Sequence, residues 1–476
     1  MAGEVREKCA VAAIVSTDGE TIASEMLYES LFAMQHRGPE ASGMATHQAD
    51  GSLKTHHRLG MVRDVYNQET IRELGGLSGI GHNRYSTSGS KLAHPQPFED
   101  KAVGFAFSHN GNLPVTNYLE TFLSKHHINP RHLNDSEMAG SAIAQYIRNG
   151  HDLPDATELA YPLFRGAFSC VAMHDGVTVA FRDPKGIRPL ALGSFEGGYA
   201  VASETAGLDI IDANYEREIK PGEMAIITEE GVEYKELAEG QSKLDMFEFV
   251  YFARHDSNLY GQSVNEVRRR LGEQLAEQHA PLMDNNDNTI VIPVPDTSVP
   301  ASEGYAEKLG LLQREAIIKN RYIGRTFIQP SNGMRRQNLR RKHNIIPEAM
   351  KGRDVVLVDD SIVRMNTLPR LVELAKAAGA KSVSALIASP PVRFPDYYGI
   401  DTPKQSELAA ANMTVEQMRE QIGCKYLGFL SLNRMVEATK MPAESFNLSC
   451  FTGEYPVGIG HHKAEIVSPV SMEYVD

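Results

Sequence analysis

Four cysteines in 476 residues, Cys9, Cys170, Cys424 and Cys450, leave no basis for a disulfide framework. None forms the C-x-x-C pair of a thiolate metal site, so each reads first as a small buried hydrophobe, and a reducing cytoplasm fits this usage. No run approaches the roughly 18 apolar residues of a membrane helix. The opening stretch MAGEVREKCAVAAIVSTDGE has no long apolar region and no A-x-A site, so it does not read as a secretory signal. Positive charge is also short. Lys and Arg number 48 against 61 Asp and Glu, and the net charge of −13 argues against a surface built to grip nucleic acid or anionic membrane. The 39 glycines and 24 prolines, about an eighth of the chain, are too few for a collagen or a low-complexity coil. What is there is ordinary globular composition, 42% hydrophobic and 23% charged. At roughly 150 residues per domain the length gives two or three domains.

The two halves differ in rhythm. KCAVAAIVS, GFAFSHNGN, AFSCVAMHDGVTVAFRD, GYAVASE and GEMAIITEEGVEYKEL are short alternating strands bounded by turn residues. Helical patterns interrupt them at Ser24–Met34 and at Asp135–Asn149, the latter with Asp135 as N-cap. Strands grouped apart from helices predict an α+β sandwich. Near residue 240 the charged segment KELAEGQSKLDMFEF turns abruptly apolar, and a domain boundary is placed there. Beyond it come a buried strand TIVIPVPD, a loop and helix DTSVPASEGYAEKLGL, a buried strand GRDVVLVDD, a helix LPRLVELAKAAGA and a strand KSVSALIAS. Thr367 is the candidate N-cap of that last helix and Gly379 its C′ residue. Strand–helix–strand units predict a mainly parallel α/β sheet.

Asp359-Asp360-Ser361 closes a Val-rich strand ahead of a helix. Ligands of open α/β sheets bind at the carboxyl ends of strands, and a helix N-terminus favours phosphate. Paired carboxylates there suit a ribose diol or hydrated Mg²⁺. Taken alone, an Asp-Asp pair more often simply ends a strand. Lys319 to His343 holds Lys319, Arg321, Arg325, Arg335, Arg336, Arg340, Arg341 and Lys342 with no acid. It reads equally as a solvated basic loop or as a lid over a polyphosphate. It reads less well as a nucleic-acid patch, since no aromatic ladder accompanies it.

VVLVDDSIVR resembles the phosphoribosylpyrophosphate (PRPP) motif of type I phosphoribosyltransferases. Together with KNRYIGRTFIQP, VIPVPDTSVPASEGYA and FEFVYFARHDS it resembles the glutamine PRPP amidotransferase family, from about residue 9 to about residue 460. The resemblance implies an N-terminal-nucleophile αββα glutaminase over 9–240 and a phosphoribosyltransferase domain with a C-terminal extension over 241–476. Residues 1–8 would be a propeptide removed after Lys8 to free the α-amine of Cys9 as general base. Without that context Cys9 reads as a core residue of the first strand. GHNRYSTSG supplies Arg84 for the glutamine α-carboxylate. SHNGN supplies Asn110 and Gly111 as oxyanion hole, although Asn-Gly is also the commonest hairpin turn. NDSE supplies Asp135 for the α-amino group, and QHRGPEASG supplies Arg37 in a loop that closes over glutamine.

By the same resemblance Asp359, Asp360, Ser361, Thr367, Lys319 and Arg325 bind PRPP, and Thr297, Asp359 and Asp360 hold one Mg²⁺ per subunit. The implied reaction makes 5-phosphoribosylamine, the first step of de novo purine synthesis. A homotetramer or dimer and feedback inhibition by purine nucleotides are implied as well, with no nucleic-acid or membrane partner.

Three departures stand out. The phosphate loop reads Met365-Asn366-Thr367 where the family has Gly-Thr-Thr. A Met side chain there is expected to obstruct the 5′-phosphate, and reversion to Gly-Thr to tighten PRPP binding. Cys9 is followed by Ala10-Val11-Ala12-Ala13 where the family has Gly-Ile-x-Gly. Positions that carry a [4Fe–4S] cluster in some members hold Asp245, Asp396, Asn447 and Cys450, so no cluster is expected. Two other readings stay open: a glutaminase paralogue with another acceptor, and an unprocessed, non-catalytic nucleotide-binding regulator.

Overall fold

The computed structural model describes residues 6–7, 9–48, 50–84, 94–280, 286–319, 343–401 and 404–475. Strand Cys9–Ser16 is buried along its whole length, and its alternation explains the architecture. Ala10, Ala12 and Ile14 point one way, onto Leu27 and Leu31 of helix Ala23–Ala33. Val11, Ala13 and Val15 point the other way, onto Ala106, Val171 and Ala180 of a second sheet. With a period of two, one strand thus feeds two separate cores. The second sheet repeats this, since Phe105 and Phe107 turn away from Ala106 toward helix Asp135–Arg148. The outcome is the expected αββα sandwich, with antiparallel sheets of seven and six strands. Ala10 and Ala13 lie in extended strand, so alanine in place of glycine asks nothing unusual of the backbone.

One cap differs from the sequence reading. The N-cap of helix Asp135–Arg148 is Asn134, which accepts from the Glu137 N–H at 2.8 Å and completes a capping box with the Glu137 side chain. Asp135 is thereby the first helical residue.

The second half is a five-stranded parallel sheet in the order Leu312–Gln313, Thr289–Pro293, Asp354–Asp359, Ser382–Ile387, Leu427–Phe429. Strand Asp354–Asp359 again divides its residues. Val356 and Val358 join the cluster of helices Val264–His279 and Val299–Leu309. Val355 and Leu357 join that of helices Leu368–Ala377 and Val415–Ile422. A strand covered on both faces carries the continuous Val/Leu run seen in the sequence. Helices Val264–His279 and Val299–Leu309 cross with backbones in contact, for a Cβ on Gly272 would meet the Ala301 carbonyl at 1.8 Å. Thr367 occupies the N-cap position of helix Leu368–Ala377 but makes no side-chain cap bond, and Gly379 follows the C-cap Ala378 at φ +89°.

The two halves meet over buried charge. Arg37 lies wholly buried between Glu204 and Glu248, its Nη2 2.5 Å from Glu248 Oε2 and its Nε on Glu204. Glu248 also binds Arg188 at 2.9 Å. Glu204 accepts from the Arg254 N–H at 2.9 Å and from Ser257 Oγ at 2.7 Å. Burial acts to raise Glu204, but Arg37 and His36 outweigh it and hold the carboxyl well below the usual range.

A second seam joins Arg182 and Glu218 to Tyr260. Arg182 donates to the Tyr260 hydroxyl at 2.7 Å, and the Tyr260 N–H donates to Glu218 Oε1 at 3.2 Å. Among the described residues Glu218 Oε2 has no hydrogen-bond partner. Burial pushes Glu218 up to about 7 against the pull of Arg182, and Asp183 up to about 6. A carboxyl raised in the folded state keeps its proton where the unfolded chain has lost it. Its contribution to stability therefore falls as pH rises from the ordinary glutamate value of 4.5 to about 7. Glu218→Gln is expected to raise the melting temperature at pH 8 and to leave it unchanged at pH 4. Equal shifts at both pH values in thermal denaturation would contradict this assignment.

Candidate active sites

The first site is assembled on the two inner strands of the sandwich. Cys9 opens strand Cys9–Ser16, is 7% exposed, and stands opposite Arg84 in the neighbouring strand Ser78–Arg84. Asn110 and Gly111 end strand Phe105–Asn112 in the other sheet. Ser203 bridges the two. It accepts from the Val11 N–H at 2.9 Å, and Asn110 Nδ2 donates to it at 3.4 Å. Sequence reading missed Ser203, which lies 192 residues from Val11. Gly111 has φ +150°, and a Cβ there would meet the Ala167 carbonyl at 2.0 Å, so only glycine fits.

Asp135 projects from the first turn of its helix. Its carboxylate accepts from the Leu113 N–H at 3.1 Å and from its neighbour Ser136 N–H at 2.9 Å. That ties it to the strand end that carries Asn110. His109 lies behind them, 3.0 Å from Ser136 Oγ and 3.9 Å from Asp135. Burial lowers His109, and burial with Arg84 nearby lowers His82 to about 3. Both imidazoles are therefore neutral at physiological pH, and neither was legible as a site residue. Arg84 donates to the His94 carbonyl. Cys9, Arg84, Asn110, Gly111 and Asp135 thus lie on adjoining strand and helix ends. The Arg37 guanidinium, expected in a loop that closes over glutamine, is buried between Glu204 and Glu248 in the domain seam.

The second half reaches this site directly. Arg6–Glu7, just ahead of Cys9, pairs antiparallel with Ile400–Asp401. Asn112 Nδ2 donates to the Tyr397 carbonyl at 2.8 Å. A Cβ on Gly399 would come within 3.1 Å of Gly111 Cα.

The second site lies at the carboxyl end of the parallel sheet. Asp359 ends its strand and Asp360 follows, both at most 9% exposed. Asp359 accepts from the Asp360 N–H at 3.0 Å, Ser361 Oγ donates to Asp360 at 2.7 Å, and Thr297 Oγ1 donates to the same carboxylate. Thr367 stands at the N-terminus of the ten-residue helix Leu368–Ala377, where free N–H groups attract phosphate. Lys319 lies 3.2 Å from Asp296, in the loop that also carries Thr297. Lys319 also pairs with His343 across the antiparallel strands that bracket residues 320–342. Arg325 and the whole of the expected lid over 325–342 lie outside the described residues.

A glutamine amidotransferase domain model matches residues 82–209, and a phosphoribosyl transferase domain model matches residues 263–393. The chain is 42% identical to the amidophosphoribosyltransferase of Synechococcus elongatus, over 95% of this chain and 92% of that one. It is 37% identical to that of Archaeoglobus fulgidus, over 96% and 100%. The solved glutamine PRPP amidotransferase from B. subtilis, complexed with ADP and GMP, superposes with a TM-score of 0.86 at 34% identity, over 95% of this chain and 98% of that one.

The chain belongs to the amidophosphoribosyltransferase family.

Two departures from the family can now be placed. Met365, where the resemblance implies glycine, has φ +55°. It keeps the glycine-like backbone, but its side chain is 8% exposed in the apolar cluster of Ile362 and Leu368. It packs into the core rather than into the phosphate loop, contrary to the expected obstruction. Met365→Gly relieves left-handed strain of about 1–3 kcal/mol but forfeits a buried side chain worth about 2–5 kcal/mol. It is expected to lower stability by about 1–3 kcal/mol and to leave the PRPP Kd within about twofold. A gain in affinity of about tenfold or more would restore the obstruction reading.

The positions Asp245, Asp396, Asn447 and Cys450 are all buried. Asp245 pairs with Asn447 in parallel strands, and Asn447 Nδ2 donates to its carboxyl at 3.3 Å. Burial, then Asp396, pushes Asp245 well up. Burial, then Asp245 and Asp396, pushes the Cys450 thiol well up. One reluctant thiol beside hydrogen-bonded oxygen groups does not fit an iron–sulfur cluster.

Proposed function

We propose that this protein is a glutamine-dependent amidophosphoribosyltransferase. It converts glutamine, PRPP and water into 5-phosphoribosylamine, glutamate and pyrophosphate, the step that opens de novo purine synthesis. What carries the reading is the pairing on one chain of a strand that begins at Cys9 beside an Asn-Gly strand end with a Thr297–Asp359–Asp360 cluster at a parallel-sheet edge. Relatives over about 95% of the chain bear this name.

Removal of residues 1–8 frees the Cys9 α-amine, which takes the thiol proton as sulfur attacks the glutamine carboxamide. The Asn110 amide and the Gly111 N–H receive the developing oxyanion. Arg84 and Asp135 hold the α-carboxylate and α-ammonium of glutamine. Ammonia leaves, and water hydrolyses the thioester. Ammonia that met bulk water would be protonated, so a closed route along the domain seam is required.

At the second site Asp359 and Asp360 hold the ribose hydroxyls. Ser361, Thr367 and the helix N-terminus hold the 5′-phosphate, and Lys319 and Arg325 hold the pyrophosphate. The all-oxygen donor set of Thr297, Asp359 and Asp360 fits Mg²⁺. When bound, that ion offsets charge on the departing pyrophosphate. Arg37 fixes the seam instead of touching substrate. The B. subtilis relative was solved with ADP and GMP, and purine nucleotides are the proposed feedback inhibitors here. Residues 9–240 and 241–476 are the two functional units, within a cytoplasmic homotetramer or dimer. Among the described residues no helix is long and apolar enough to cross a membrane.

The test follows glutamate and pyrophosphate together, with glutamine, PRPP and Mg²⁺ present. Equal, PRPP-dependent release supports the assignment. Glutamate without pyrophosphate would assign the glutaminase to another acceptor, and neither product from a chain shown by intact mass to begin at Cys9 would overturn the reading.

A further inference from the structure

Past the second site the chain returns to the sandwich through a 3-10 turn, Gly460–Glu465. In a helix of three residues per turn, positions i and i+3 stand one above the other. That puts His462 and Glu465 in line, with Nδ1 3.3 Å from the carboxylate. The His461 ring folds over that of His462, with centroids 4.0 Å apart. His462 is held from its other side by Tyr397, stacked at 4.6 Å and 23°. Among the described residues these three side chains form the group of metal-type donors whose ligand atoms all lie within 4.8 Å of one another.

We propose that His461, His462 and Glu465 form a Zn²⁺ site within the C-terminal turn that packs against the glutaminase half. Two imidazoles and a carboxylate are the donor types zinc prefers, with water as fourth ligand. Bonds of about 2.0–2.2 Å in a tetrahedron put ligand atoms about 3.4 Å apart. His461 and Glu465 are exposed, and the Tyr397 ring stacks on His462.

The location gives the site its consequence. Ile459, one residue before the turn, packs with Ala167 and Ile187 of the sandwich and Tyr398 of the second half. A Cβ on Gly460 would lie 3.1 Å from Val115 and 3.4 Å from the Pro114 carbonyl, just beyond the strand end that carries Asn110 and Gly111. A bound ion therefore stiffens the segment that covers this end of the glutaminase.

The test titrates Zn²⁺ into the processed full-length protein in excess Mg²⁺, so that Asp359 and Asp360 do not report. Wild type is expected to take up one more Zn²⁺ than the double variant His461→Ala/Glu465→Ala. His461→Ala or Glu465→Gln alone should weaken that binding by about tenfold or more. The half-buried His126 and the exposed His127 serve as control, since His126→Ala/His127→Ala should leave the titration unchanged. Co²⁺ in place of Zn²⁺ should give visible d–d absorption that the double variant lacks. Identical stoichiometry and affinity in wild type and double variant, or no Zn²⁺ uptake by wild type, would overturn the site.

Discussion

Cys9→Ala should abolish glutamine-dependent synthesis of 5-phosphoribosylamine and spare synthesis from free ammonia. In the proposed scheme the thiol is the nucleophile of the first site alone, whereas ammonia enters the second site without it. The loss should be at least about a thousandfold, since no neighbouring group replaces a missing nucleophile. Folding should be little affected. Cys9 lies in a strand whose neighbours Ala10, Ala12 and Ala13 already pack as alanine, and the change removes one sulfur at a 7% exposed position. Assays with glutamine and with ammonium on chains lacking residues 1–8 separate the two reactions. Parallel loss of both, or of neither, would refute the two-site scheme.

Arg37→Leu should cost about 3–5 kcal/mol of stability, because it leaves the buried carboxylates of Glu204 and Glu248 without their shared cation. The cost arises mostly from stranded charge rather than from lost contacts. The double variant Arg37→Leu/Glu248→Gln should therefore recover part of it. The pH dependence carries a second signature. Glu204 is held below the usual carboxylate range, so its stabilising contribution is present above the unfolded pKa and fades as pH falls. With Arg37 removed, that acid-side loss should shrink. Chemical denaturation at neutral and acid pH checks both. A cost under about 1 kcal/mol would show that water or another cation takes the place of Arg37.

Local pattern carried much of the architecture. The alternation in Cys9–Ser16 and the Val-rich run of Asp354–Asp359 announce a one-strand, two-core sandwich and a doubly covered parallel strand. The position of Asp359-Asp360 at a strand end was legible from the Val-rich run ahead of it. Contacts between distant residues were not legible. Arg37 finds Glu204 and Glu248 at separations of 167 and 211 residues, and its sequence context as a loop residue gave no hint of full burial. Ser203 reaches Val11 by the same kind of long-range packing. Asn134 and Asp135 are both good caps, and the Glu137 capping box decides between them. At Met365 the rule that glycine takes positive φ was sound, but the pull of an apolar cluster on the side chain was invisible from the loop itself.

The contact between Gly399 and Gly111 bears on dissection and grafting. Two residues without side chains touch where the halves meet, so the boundary near residue 240 divides the sequence more cleanly than the molecule. A glutaminase half transplanted onto a foreign acceptor domain would need a partner segment equally bare at this point, with a carbonyl placed as that of Tyr397 is for Asn112. The two halves are interchangeable parts only for a partner that supplies that surface.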